Sequence, residues 1–434
     1  MKRVVVRHLV RILAAAIAAH VSLAAAPPAG TAFVNGHWFI GGRFVDTTVS
    51  VIDGRFAMSA AGEPAETVDL AGQFVVPPFA DAHAHNISRE MTPAEIKPYV
   101  DQGIFYVLNP SNLGPVAGAA PPADGPVGVA FANGPITPSG GHAVVLNTRA
   151  FERGGMPGLA REDLDGRAFF VADSPADIDR VFPRLLAGKP DIVKIYLGFS
   201  EEYDRRRADP AYEGKRGVSI AVLEETVRRA HAAHLRVAAH IETADDFRAA
   251  VRAGVDVVAH LPGWRIGAAS GFDDETTAHW LLTDADADNA AKHGTVVVTT
   301  TVAGKKLLSP ASPEAAPTRE IHTHNLRLLL AHNVKLALGS DYYEGSAVAE
   351  AFMLGKQPLF GGGIEPLGVF DNAALLTLWV EATPAAIFPE RKIGRIVDGY
   401  EANFLVLKGD PIADFANVRR ITQRFSKGLR LSGQ

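Results

Sequence analysis

The segment Phe74-Val-Val-Pro-Pro-Phe-Ala-Asp-Ala-His-Ala-His85 carries two histidines one residue apart. Side chains at i and i+2 of an extended chain point to the same side. Two imidazoles on one side, just past an apolar strand, make two thirds of a three-ligand metal shell. A metal held that way turns water into a nucleophile and polarises a carbonyl. That chemistry needs further ligands at comparable positions, and the chain supplies them. Lys194 lies inside the apolar run Asp191-Ile-Val-Lys-Ile-Tyr196. His240 ends Ala238-Ala-His, and His260 ends Val257-Val-Ala-His. Asp341 ends Leu336-Ala-Leu-Gly-Ser-Asp. His240 and His260 are 20 residues apart, about one βα repeat. The chain has no cysteine, so any metal must be held by nitrogen and oxygen.

One histidine after a strand is ordinarily a packed polar side chain. Six candidate groups on five of the expected strands, in barrel order, are a pattern. A lysine inside a buried strand is costly unless it is paired or modified. The remaining histidines divide differently. His322 and His324 sit in a helical segment, where i and i+2 point about 200° apart, so they cannot share a metal. His231 and His234 belong to a surface helix. His142, in Pro138-Ser-Gly-Gly-His, is a candidate for touching substrate. Tyr196 points the same way as Lys194 and is a second candidate. Trp264, Tyr342 and Tyr343 follow ligand positions and are candidate pocket walls, with Tyr343 counted as a substrate contact. The loop holding Tyr203, Arg205, Arg206 and Arg207 either meets an anionic group or is solvated.

The elements that must place these groups are legible in outline. From Val75 to Lys392, apolar β-branched runs alternate with helical patterns, the signature of parallel strands. Eight strands are expected: 74–76, 104–108, 127–131, 192–195, 236–239, 255–259, 295–300 and 334–338. Helices over 219–234 and 243–252 carry Ser219 and Thr243 as caps, the second stopped at Gly254. Eight units imply an α/β (β/α)8 TIM barrel over 75–392, with its site at the C-terminal strand ends. Short strands and turns over 31–74 and 393–432, Gly394 to Gly399 among them, are expected to pack into one small β-sandwich from both chain ends. No Gly-rich dinucleotide loop supports a doubly wound sheet.

Residues 1–24 read as a signal peptide: Lys2, Arg3, Arg7 and Arg11 precede an apolar run, and Ser22-Leu-Ala24 offers a cleavage site. The expected location is periplasmic or secreted, with no stable membrane span after cleavage. Net charge is −5, and −9 without that segment, with no long basic run. A nucleic-acid partner is therefore not expected. A small-molecule substrate is, and homo-oligomer formation is left open.

His83-x-His85, Lys194, His240, His260 and Asp341, in this order, resemble the metal-dependent amidohydrolase superfamily. The Gly140-Gly141-His142 loop and Ala402-Asn-Phe-Leu-Val-Leu407 resemble its imidazolonepropionase-like and exported prolidase-type carboxypeptidase members. The resemblance implies two divalent metal ions, zinc first, with manganese, iron or cobalt as others. His83, His85 and Asp341 would hold one and His240 and His260 the other, bridged by carboxylated Lys194. It further implies a metal-bridging hydroxide that cleaves an amide-like C–N bond, with Asp341 as base and then acid. An N-acyl amino acid or a dipeptide is the implied substrate. Three alternatives stay open: a lactonase or ester hydrolase on the same site, a mononuclear deaminase using Glu242, and a catalytically silent ligand-binding barrel.

Overall fold

The computed structural model describes residues 30–58, 63–88, 93–112, 125–156, 158–303, 309, 311–341, 347–358 and 365–431. The expected signal segment, Tyr342 and Tyr343 lie outside them. Four strands open the described chain: β1 (Thr31–Ile40), β2 (Arg43–Ile52), β3 (Arg55–Phe56) and β4 (Glu66–Val76). The expected first barrel strand, 74–76, is in fact the end of β4. Pro77 and Pro78 cannot donate to a ladder, so they end that strand and turn the chain.

The parallel strands begin after those prolines with β5 (Phe79–Asp81), β6 (Ile104–Asn109) and β7 (Gly128–Phe131). There follow β8 (Ile136–Thr137), β9 (Phe170–Val171), β10 (Ile192–Tyr196) and β11 (Arg236–His240). The set ends with β12 (Val257–Ala259), β13 (Val296–Val298) and β14 (Lys335–Ala337). They form a three-stranded sheet, β5-β6-β7, and a seven-stranded sheet, β14-β13-β12-β11-β10-β8-β9. All pairings within both are parallel.

The third expected strand, 127–131, is β7, which pairs with β6. Beyond Asn133-Gly134-Pro135 the chain forms a further short strand, β8, which pairs with β10. Strands of two residues carry no periodic signal, which is why β8 and β9 were not legible. Hydrogen bonds tie the two sheets at both seams. Ala82 N–H donates to Leu338 O at 2.8 Å, and Asp191 N–H to Phe131 O at 2.8 Å. The strands pack against their helices in one buried apolar core. Ser219 and Thr243 cap their helices, Ile220–Ala232 and Ala244–Ala253, and Gly254 closes the second in the left-handed conformation.

The end of the chain adds β15 (Phe404–Leu407), β16 (Ile421–Ser426) and β17 (Leu429–Arg430). Both ends join as expected, but in one sheet of order β17-β16-β15-β4-β1-β2-β3 rather than a two-sheet sandwich. Leu405 pairs with Val76, so the C-terminal strands lie on β4. The sheet curls round its own aromatic core. Phe56 on β3 and Phe404 on β15 have three strands between them, yet their rings are 6.2 Å apart. Residues 394–399 form turns without a strand and close this curl, with Gly399 N–H bonded to Phe56 O.

Candidate metal centre at the strand ends

His83 and His85 follow β5 and meet Asp341, which follows β14. The Asp341 Oδ1 lies 3.2 Å from His83 Nε2 and 2.9 Å from His85 Nε2. These three groups lie close enough to hold one metal ion between them. Their backbones are tied as well. The buried Asp81 carboxylate accepts from Ser340 N–H, Ser340 Oγ–H and His83 N–H. Asp341 N–H donates to His83 O at 2.7 Å. Between them Gly339 has no room for a side chain: a Cβ would sit 2.8 Å from His83 Cβ and 2.5 Å from Val298 Cγ1.

The other histidines line the same rim. The His260 ring is 5.0 Å from that of His83 and 4.5 Å from that of His240. His260 Nδ1 lies 3.8 Å from Asp341 Oδ2. His260, Thr300 and Asp341 all have positive φ, at 79°, 45° and 49°. Left-handed backbone in non-glycine residues is strained and clusters where function over-determines it. Here it marks the ends of three neighbouring strands.

Each of these two histidines has a partner at one ring nitrogen. His260 Nδ1 is 2.8 Å from Thr300 Oγ1, and His240 Nε2 is 2.9 Å from Glu242 Oε1. A carboxylate can only accept, so His240 carries its proton on Nε2 and keeps Nδ1 as a lone pair. Glu242 is itself held by the buried Asp246, which accepts from the backbone N–H groups of Phe199, Ser200, Glu242 and Thr243. Glu350, also buried, accepts from Thr299 Oγ1, Thr301 N, Thr301 Oγ1 and Val302 N, and so fixes the turn that presents Thr300.

Burial sets the protonation of the centre. It pushes His83 down to about 4, and His240 and His260 well below their usual value. All three are therefore neutral imidazoles at pH 7, the form that binds metals. Burial pushes Asp341 up, but the His83, His85 and His260 rings outweigh it and hold the carboxyl well below its usual range. Lys194 is 1% exposed, and its Nζ has no hydrogen-bond partner among the described residues. Burial brings it down to about 7, against the pull of Asp341.

The substrate candidates divide. The Tyr196 ring stacks on His240 at 4.5 Å, and His142 lies 5.6 Å from the same ring. Tyr343 falls outside the described residues. Trp264 packs beside His260 at 5.2 Å and His240 at 5.6 Å. Arg205 and Arg206 are engaged by Glu202, with Arg206 buried against Phe199, and so do not present themselves to the rim. His322 is buried on the helix Ala315–Ala331, and His324 bonds Leu282 O, so neither joins the centre. The sequence did not single out Thr300, Arg265 or Glu350. The run Thr299-Thr300-Thr301 after three valines was the one available signal.

No family model and no curated protein sequence matches the chain. Solved structures do. One is an amidohydrolase, 20% identical at a TM-score of 0.65, covering 93% of this chain and 99% of its own. A Xaa-Pro dipeptidase with bound methionine in its active site gives 20%, 0.65, 93% and 100%. Ochratoxinase from A. niger gives 15%, 0.66, 93% and 96%. At these identities the likeness is one of fold: a parallel-strand α/β protein with an added β domain, shared over nearly the full length.

Proposed function

We propose that this protein is a metal-dependent amidohydrolase that cleaves an amide-like C–N bond in an N-acyl amino acid or dipeptide-like substrate. The two parallel sheets are then the two arcs of one (β/α)8 barrel. The observation that carries the reading is Lys194 Nζ: a fully buried amine without a hydrogen-bond partner among the described residues, within electrostatic reach of His83, His240, His260 and Asp341. An amine brought down to about 7 is substantially neutral at neutral pH and reacts with carbon dioxide, losing a proton to become a carbamate. The resulting anionic oxygens are donors that an ammonium lacks. The residues therefore fit two divalent ions, zinc first. His83, His85 and Asp341 would hold one, His240 and His260 the other, and carboxylated Lys194 both.

When bound, the ions supply an activated water and polarise the scissile carbonyl. The protein's own groups do the rest. Thr300 and Glu242 fix the ring orientations of His260 and His240. Asp341 takes the proton of the attacking water and returns it to the leaving nitrogen as the C–N bond breaks. Tyr196 and His142 line the approach on the His240 side. The Xaa-Pro dipeptidase and amidohydrolase neighbours support the C–N reading over a lactone or ester. A deaminase would need Glu242 for proton transfer, whereas that carboxylate is held between His240 and Arg265. Export by residues 1–24 belongs to the same proposal. Among the described residues, no helix is long and apolar enough to cross a membrane.

The test is elemental analysis of protein purified without chelator, followed by a screen of acyl amino acids, dipeptides and lactones. About two metals per chain with turnover of amides is the expected result. Turnover confined to lactones would replace the amide reading, and a chain that takes up no metal would end it.

A further inference from the structure

A second cleft lies at the opposite end of the parallel strands from the metal centre. Arg236, Val296 and Lys335 are the first residues of β11, β13 and β14, and Asp256 immediately precedes β12. At roughly 3.3 Å per residue, Asp256 and Lys335 stand about 13 and about 20 Å along the chain from His260 and Asp341. The cleft has a volume of about 430 Å3 and is walled by Val255, Val296, Leu336, Ala382, Ala385 and Pro389. That is the size of a small-molecule site. Two glycines help to keep it open. Gly254 and Gly294 close the helices Ala244–Ala253 and Asp284–His293 in the left-handed conformation and bring no side chain to the cleft. Ala382, Ala385 and Pro389 face it from the other side and are exposed, so its apolar wall is wet.

Most of the ionic groups in this cleft are engaged. Arg236 donates to Ala386 O at 2.6 Å and to Ile387 O at 2.7 Å. Asp256 accepts from Val237 N–H at 2.8 Å and meets His231 at 2.9 Å. His293 Nδ1 donates to Asn289 O at 2.8 Å. Lys335 is the exception. It is exposed, and it has no ion pair or hydrogen bond with the described residues. Its Nζ lies over Gly294, 3.6 Å from where a Cβ would stand. One unpaired ammonium therefore stands beside an apolar cleft. A molecule with an anionic end and an apolar body matches both features. A charge-assisted bond to the ammonium fixes the end, and one carboxylate oxygen satisfies that point charge. Burial of the body takes apolar surface of ligand and cleft out of water together.

We infer that this cleft binds a small monocarboxylate with a compact apolar body, aliphatic or aromatic, held at its carboxylate by Lys335. The site shares no residue with the metal centre. It stands or falls independently of the amidohydrolase reading.

The experiment is calorimetric titration of the metal-loaded protein with phenylacetate and hexanoate, each beside its carboxamide. The acids are expected to bind more tightly than the amides. Lys335→Met weakens the acids about 10-fold and leaves the amides unchanged, because it removes the charge and keeps the apolar stem. Ala385→Phe fills the cleft and removes binding of all four probes. Metal content and turnover stay as in wild type in both variants, since neither residue belongs to the metal centre, and a thermal melt confirms that each is folded. A carboxylate can also settle on bound metal ions, and the variants tell the two sites apart. Acid binding that is equal in wild type, Lys335→Met and Ala385→Phe belongs to the metals and overturns the inference. Equal affinity of wild type for acid and amide overturns it too, as does failure of both acids to bind.

Discussion

Glu242 Oε1 lies 2.9 Å from His240 Nε2, and both residues are buried. The contact decides which nitrogen of His240 is left for a metal. Glu242→Ala removes the acceptor and frees the ring to rotate. A metal held through His240 should then weaken about 10- to 100-fold, while the His83, His85 and Asp341 group keeps its own. Competition with a graded chelator, followed by metal analysis, measures this. Parallel release of all metal from wild type and variant would show that Glu242 has no orienting role.

Lys194 gives a pH dependence whose sign is fixed. Its folded value, about 7, is below the 10.5 of an unfolded lysine. Between those values the unfolded chain binds the extra proton, so stability of the metal-free protein rises with pH across that window. From pH 7 to pH 9 the gain is about 2 kcal/mol. Urea unfolding at both pH values, with Lys194→Met as reference, isolates it. A metal-free wild type whose pH response matches that of the variant would remove Lys194 from the account. The variant should also bind fewer metals, and wild type stripped of metal should recover faster when bicarbonate is supplied.

Glu350 sits on the helix Ala347–Leu354 and accepts four hydrogen bonds from residues 299–302. Glu350→Gln puts an NH2 group where two donors need an acceptor. The cost is about 1–3 kcal/mol for each donor left unsatisfied. Chemical unfolding reads the loss, and weaker metal retention at His260 should accompany it because Thr300 is no longer held. A variant as stable as wild type would contradict the role given to this carboxylate.

Gly339→Ala introduces a methyl group where Val298 and His83 leave no space. His83 must shift, so the three-residue group with His85 and Asp341 opens. Metal binding should fall at that group before stability collapses, since overpacking one methyl typically costs about 1–3 kcal/mol. Metal analysis beside a thermal melt separates the two effects, and full metal occupancy in a folded variant would count against this packing account.

The sequence by itself determined the donor types and the order in which the strands bring them to one rim. A ligand just past a buried strand is a local feature: an apolar run, then His, His or Asp. Chain direction and the βα repeat do the rest, which is why His83, His240, His260 and Asp341 were legible. The pairing of both chain ends was legible too, from strand patterns too small to stand alone. Tertiary structure decided what depends on contacts between distant residues. His260 and Thr300 are 40 residues apart, and Arg265 and His142 are 123 apart. No local pattern records such pairs. The same holds for the curl that turns two expected sheets into one, because strand twist and aromatic packing act only once β3 and β15 approach. It holds for β8 and β9, because two-residue strands exist only by virtue of their neighbours. What a candidate metal ligand is made of is written locally; which nitrogen of His260 stays free is set by Thr300, 40 residues along the chain.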